Sequence, residues 1–256
     1  MLTTTVDIPT SDGVADASLT RPDGDGPFPA VLLFMDAFGP RPRLVEMAER
    51  IAARGYLVLT PHLFYRAGRA PLFDLSRLGE ADQRAALFEK IMPLVGALNP
   101  EVISRDTAAF LDFLAARDDV RPGPVAITGY CMGGTNALRA IEAHPDRIAA
   151  VASFHGGRIV TEAPDSPHLG VASITGELYF GHADADQSMT PEQIATLEKA
   201  LDAAGVRYRS EVYARAHHGY TMADTPAYDE QATERHWAAL FDLLNRTLPA
   251  SGAVTG

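Results

Sequence analysis

The sequence predicts an α/β fold with a mostly parallel central sheet and helices on both faces. Three observations carry this expectation. Strand-like runs alternate with amphipathic helical stretches along most of the chain. Several of those runs, such as Pro29 to Met35, are continuously apolar, as strands buried on both faces must be. A sharp strand-to-helix turn is written into Gly129-Tyr130-Cys131-Met132-Gly133-Gly134.

Taken in order, residues 3 to 20 alternate and break at Arg21-Pro22-Asp23-Gly24-Asp25-Gly26-Pro27, which predicts two edge strands. Pro29 to Met35 is the first buried strand, Leu44 to Arg54 a helix, and Tyr56-Leu57-Val58-Leu59-Thr60 a strand that Pro61 ends, together one βαβ unit. Residues 62 to 100 interrupt the alternation with the loop Phe64-Tyr65-Arg66-Ala67-Gly68-Arg69 and a helix from about 81 to 97. An insertion over the carboxyl ends of the strands gives a small lid on the side where such sheets bind ligands. Helices are then expected at 101–116, 133–143, 191–204 and 228–247, and strands at 124–128, 148–154, 177–182 and 207–213. The expected organisation is a single domain over 1–248 with a flexible tail, 249–256.

Composition narrows the function classes. With 256 residues and 46% hydrophobic content, the chain can bury a substantial core. A net charge of -11 and no run of lysine or arginine remove the electrostatic attraction that drives binding to nucleic acid or anionic membranes. The first residues, Met1-Leu2-Thr3-Thr4-Thr5-Val6-Asp7, lack a basic and an apolar targeting region, so a cytoplasmic location is expected. A single cysteine excludes an intramolecular disulfide and a cysteine-rich zinc site, and no nucleotide-cradling glycine motif is present. No metal and no cofactor are therefore expected. The expected partner is a small molecule, and the chain itself a monomer or homodimer.

The lone cysteine sits where a nucleophile would. Pro124-Val125-Ala126-Ile127-Thr128 precedes it as a strand and Asn136 to His144 follows as a helix. Glycines two before and two after let strand and helix approach closely around a strained residue, as in a G-x-S-x-G elbow with the serine replaced. At a helix N-terminus the dipole and free N–H groups favour a thiolate and can hold an oxyanion. Such a nucleophile needs an imidazole to move protons and an acid to hold it in one tautomer. Downstream, Gly181-His182-Ala183-Asp184-Ala185-Asp186 offers two acids and His217-His218 two imidazoles, in the order nucleophile, acid, histidine. His62 and His155, also near strand ends, receive no role.

On these motifs the chain resembles the dienelactone hydrolase family, of α/β-hydrolase fold with a Cys-His-Asp triad. G-Y-C-M-G-G at 129–134 carries the resemblance, with D-A-F-G at 36–39, G-H-A-D-A-D at 181–186 and H-H-G-Y at 217–220 in support. The resemblance implies His218 rather than His217, because the family histidine directly precedes a Gly-aromatic pair. It favours Asp186, by its spacing to Pro191, with Asp184 as the alternative. It places the Ala37 and Met132 N–H groups in the oxyanion hole and Asp36 as an acid contacting the nucleophile. The family's arginine shortly after the catalytic histidine is missing from Thr221-Met222-Ala223, which argues against dienelactone itself. Arg66 or Arg69 is then expected to contact a substrate carboxylate, with Phe64, Tyr65, Tyr220 and Met222 lining the pocket.

The implied function is hydrolysis of a small ester or lactone through an acyl-thioester. Acyl transfer or thioester hydrolysis on the same triad is the alternative enzyme reading. A ligand or redox sensor built on the hydrolase scaffold is the non-catalytic one.

Overall fold

A computed structural model describes residues 1–250. The long hairpin of β1 (Leu2–Thr10) and β2 (Gly13–Arg21) opens the chain, followed by β3 (Ala30–Phe34), α1 (Pro42–Ala52) and β4 (Leu57–Pro61). Two helices come next, α2 (Ala81–Ala97) and α3 (Pro100–Ala115). The alternation resumes with β5 (Val125–Tyr130), α4 (Met132–Ala143), β6 (Ile148–Phe154), β7 (Glu177–Ala183), α5 (Pro191–Ala204), β8 (Tyr208–Tyr213) and α6 (Glu230–Thr247).

All eight strands form one sheet in the order β1-β2-β4-β3-β5-β6-β7-β8. Strands β3 to β8 run parallel, and β2 joins them antiparallel to β4. The two strands at the start were expected at an edge, but β2 pairs on both sides and only β1 is peripheral. Every residue of β3, β4, β5 and β7 is buried, which explains the unbroken apolar runs. Each fully buried aliphatic side chain there contributes about 1.5–3 kcal/mol relative to exposure.

Local chemistry sets the helix ends. Pro42, Pro100 and Pro191 stand at the first turns of α1, α3 and α5, where a missing N–H costs nothing. Asn99 accepts from the Val102 amide, and Thr190 and Gln193 cap α5 reciprocally. The connections that leave the carboxyl ends of β3, β5, β6, β7 and β8 bring residues distant in sequence to one rim of the sheet.

The insertion has two parts. A 3₁₀ turn at Tyr65–Ala67 is tied down on α3, and α2 lies farther out with only Ile91 fully buried. In the tail, Pro249 accepts a hydrogen bond from Arg121 at 2.7 Å and Ala250 packs on the core, so neither is loose. The remainder of the expected flexible tail, 251–256, lies outside the described residues. Among the described residues no helix is long and apolar enough to cross a membrane.

Candidate active site

Cys131 stands between β5 and α4 with φ 55° and ψ −121°, a conformation an L-residue adopts only when its surroundings impose it. The surroundings here are backbone. A Cβ on Gly129 would overlap the Gly133 carbonyl, and a Cβ on Gly133 would overlap the carbonyl oxygens of Phe34 and Met35. The glycines thus let the first turn of α4 settle onto the ends of β3 and β5, which projects Cys131 from the rim. His155 and Ala185, just after β6 and β7, are also left-handed at φ 40° and 53°.

His218 and Asp186 meet beside the cysteine. His218 Nδ1 is 2.6 Å from Asp186 Oδ2. The other oxygen, Oδ1, accepts from the Ser188 amide at 2.8 Å and from Ser188 Oγ at 2.7 Å. Asp184, the alternative acid, accepts instead from the Arg215 amide at 2.7 Å and pins the histidine loop. His217 is exposed at the cavity mouth and is not paired with an acid.

Burial works against charge on His218, but the Cys131 sulfur and the Asp186 carboxylate outweigh it and lift its pKa to about 10. Burial likewise pushes Asp186 up, and its bonds from His218 and Ser188 prevail to hold it below the ordinary value. The arrangement therefore favours the imidazolium form of His218, held between Asp186 and Cys131.

Ala37 follows β3 and Met132 opens α4. Neither amide donates to another protein group among the described residues. Asp36 was expected to contact the nucleophile, yet its carboxylate is committed elsewhere. It receives two bonds from Arg41, at 2.6 and 2.8 Å, and one from the Phe38 amide at 3.1 Å. Burial raises the Asp36 pKa against the opposing charge of Arg41.

A cavity of about 390 Å³ opens over Cys131. It is lined by Asp36, Ala37, His155, His217, His218 and Met222 together with Phe38, Leu78, Arg84, Phe88, Pro226 and Ala227. The Phe38 and Phe88 rings lie 5.8 Å apart between centroids, and Arg84 and Phe88 are the α2 residues that line the cavity. A larger groove of about 760 Å³ between α3 and α4 contains no triad member.

Of the six expected pocket residues, only Met222 lines this cavity. Arg66 is bound at 2.8 Å through two nitrogens to buried Asp106 and also to Asp12, while Tyr65 hydroxyl donates to Asp106 at 3.0 Å. Arg69 pairs with Asp7 at 2.7 Å, and Phe64 is buried against Phe73. These side chains anchor the insertion to the hairpin and α3, and none of them lines the cavity over Cys131. Tyr220 lies under the site, donating to the Gly181 carbonyl at 3.1 Å and packing edge-to-face on His155.

The sequence reading missed His155, Ser188, Arg84 and Phe88. His155 is buried 5.3 Å, centroid to centroid, from the His218 ring and bonds Thr221 Oγ1 at 2.8 Å through Nε2. Its position directly after an apolar strand was the one available signal. Among the described residues no group of three or more His, Cys, Asp or Glu could hold a metal ion.

The profile of the dienelactone hydrolase family matches residues 15–248. A Yersinia pestis protein provisionally named carboxymethylenebutenolidase is 28% identical over 92% of this chain and 85% of its own length. An Escherichia coli K12 protein with the same provisional name is also 28% identical, over 92% and 83%. Among solved structures, a dienelactone hydrolase-like promiscuous phosphotriesterase from metagenomic libraries superposes with a TM-score of 0.77 at 24% identity, covering 96% of this chain and 99% of that one.

Proposed function

Because this chain belongs to the dienelactone hydrolase family, we propose that it hydrolyses a small carboxylic ester or lactone with Cys131 as nucleophile, His218 as acid and base, and Asp186 as the group that orients His218. The observation that carries the reading is the 2.6 Å bond between Asp186 and His218 on the rim where Cys131 projects.

Each step needs only groups already at the site. The Cys131 thiolate attacks the carbonyl carbon, and the carbonyl π electrons move onto oxygen, between the Ala37 and Met132 N–H groups. Collapse of this tetrahedral species forms the thioester and breaks the ester C–O bond. The leaving alkoxide takes the proton from the His218 imidazolium. Neutral His218 next removes a proton from water as that water attacks the thioester. The second tetrahedral species expels the thiolate and releases the acid, restoring the starting thiolate and imidazolium. Asp186 keeps the His218 Nδ1 proton in place throughout, leaving Nε2 for proton transfer.

The test is turnover of a short-chain aryl ester panel together with dienelactone by wild type and Cys131→Ala across pH. Turnover by wild type and background rates for the variant are expected. Equal rates would remove Cys131 from the mechanism, and a wild type inert to every ester would favour a binding or sensor protein.

A further inference from the structure

Arg41 flanks the start of α1, but its side chain turns into the wall between two loops of the site and is only 8% exposed. All five of its N–H groups have acceptors. Nε donates to Asp224 Oδ2 at 2.5 Å; Nη1 donates to Asp36 Oδ1 at 2.6 Å and to the Gly39 carbonyl at 3.1 Å; Nη2 donates to Asp36 Oδ2 at 2.8 Å and to Asp224 Oδ1 at 3.3 Å. One guanidinium therefore grips two carboxylates, each through both oxygens, a geometry that a lysine cannot reproduce.

The two carboxylates belong to two separate segments that both contribute to the cavity lining. Asp36 begins the turn that carries the Ala37 amide, and its Oδ1 also accepts from the next amide, Phe38. Asp224 lies in the segment after His218, between Met222 and Thr225, which both face the cavity. A second strut runs alongside: Arg43 Nη2 donates to the Thr221 carbonyl at 2.8 Å, and Thr221 Oγ1 meets His155, which packs on His218.

We infer that Arg41 is the positioning residue of the site, a clamp between Asp36 and Asp224 that sets the Ala37 amide at a fixed distance from Cys131 and His218. It touches no reacting atom and acts through the backbone of the 36–39 turn. The inference rests on the hydrolase reading above. An oxyanion donor stabilises the transition state only where it already points at the developing charge, so a small shift of this turn lowers kcat while leaving ground-state binding largely intact.

The test compares Arg41→Lys and Asp224→Asn with wild type on the aryl ester that wild type turns over best. For Arg41→Lys, kcat is expected to fall roughly 30- to 100-fold with KM changed less than about 3-fold, the signature of an impaired oxyanion donor. For Asp224→Asn a smaller fall of about 3- to 10-fold in kcat is expected, because the amide keeps one bond to Arg41 but loses the charge. Alkylation of Cys131 by iodoacetamide should proceed at the wild-type rate in both, since the nucleophile is untouched. Should Arg41→Lys fail to fold, Asp224→Asn carries the test alone. Wild-type kcat in either folded variant overturns the clamp, as does an equal loss of alkylation and turnover. An inactive Cys131→Ala beside a fully active Arg41→Lys would dismiss the clamp and leave the hydrolase reading standing. A fully active Cys131→Ala would dismiss the hydrolase reading first.

Discussion

Asp186 Oδ2 lies 2.6 Å from His218 Nδ1, whereas Asp184, two residues earlier on the same loop, holds the backbone of Arg215. The two carboxylates therefore have separable jobs. Asp186→Asn should lower kcat/KM by on the order of 10²- to 10⁴-fold, because an amide can donate where the carboxylate only accepts and so favours the wrong imidazole tautomer. Asp184→Asn should leave the rate within about 3-fold and cost about 1 kcal/mol of stability, the weakening of one hydrogen bond from a backbone amide. Steady-state kinetics with denaturation curves reads both. The reverse pattern would reassign the acid.

The charge on His218 depends on its neighbours. Burial opposes the imidazolium, and the Cys131 sulfur and Asp186 overcome it to reach a pKa near 10. Deleting the sulfur charge in Cys131→Ala should lower the His218 pKa, as followed by NMR of its ring protons, and Asp186→Asn should lower it too. An unaltered titration in Cys131→Ala would mean that the two groups do not interact. The sign for stability follows from the same shift. A histidine pKa raised above its unfolded value of about 6.5 stabilises fully below that pH and loses the contribution as pH climbs through 10.

Four other histidines behave in the opposite sense, among them His62, which burial also lowers. Burial lowers His236 to about 3 and His182 to about 4, and burial with the nearby His218 charge takes His155 well below 6.5. The unfolded chain binds protons that these sites refuse, so their contribution is whole above pH 6.5 and declines as pH falls toward the folded values. At pH 5 the loss is about 2 kcal/mol each for His236 and His182, with His218 offsetting part of it over the same interval. Urea midpoints should therefore be lower at pH 5 than at pH 7.5. His236→Gln should shrink the difference, because its amide can still meet Tyr130 and the Thr233 carbonyl without titrating. Equal midpoints in wild type would contradict the assignment of neutral buried imidazoles.

The parts of the molecule governed by local chemistry were readable in the sequence. Continuous apolar runs become the buried strands, the helix from 81 to 97 falls at Ala81–Ala97, and the glycines around Cys131 announce the elbow. What escaped depends on partners remote along the chain. Alternation in Gly13–Arg21 reveals a strand but not its neighbours, so an interior position for β2 was hidden. Arg66 looked available because Asp106 lies forty residues further on, and Arg41 meets Asp224 from 183 residues away. The residue types that recognise an anionic substrate are the same types that tie an insertion to its scaffold, and only geometry separates the two uses.

Phe88 of the insertion faces Phe38 across the cavity and is 37% exposed, so it can yield without disturbing the core. Phe88→Ala should raise KM for aryl esters by roughly 3- to 10-fold, the loss of one aromatic contact worth about 0.5–1.5 kcal/mol, with kcat nearly unchanged. The effect should diminish for acetate esters of small alcohols, which are too short to reach α2. A fall in kcat with KM constant would place the insertion in the chemistry rather than in binding.

Gly129 and Gly96 make opposite predictions for the same substitution. A methyl group on Gly129 collides with backbone atoms of Gly133 and Gly134, which cannot rotate away as a side chain would. Gly129→Ala should therefore destabilise by about 3 kcal/mol or more and tilt Cys131 away from His218, so that activity falls even in the folded fraction. Gly96, near the end of α2, has nothing within 4 Å of its missing methyl group and an ordinary backbone conformation. Gly96→Ala should stabilise the chain by roughly 0.5–1 kcal/mol through the entropy it removes from the unfolded state. Comparing the two by urea denaturation isolates contact from backbone freedom. A mild Gly129→Ala would mean that the elbow tolerates a wider gap between β5 and α4, and the strain at Cys131 would then need a different cause.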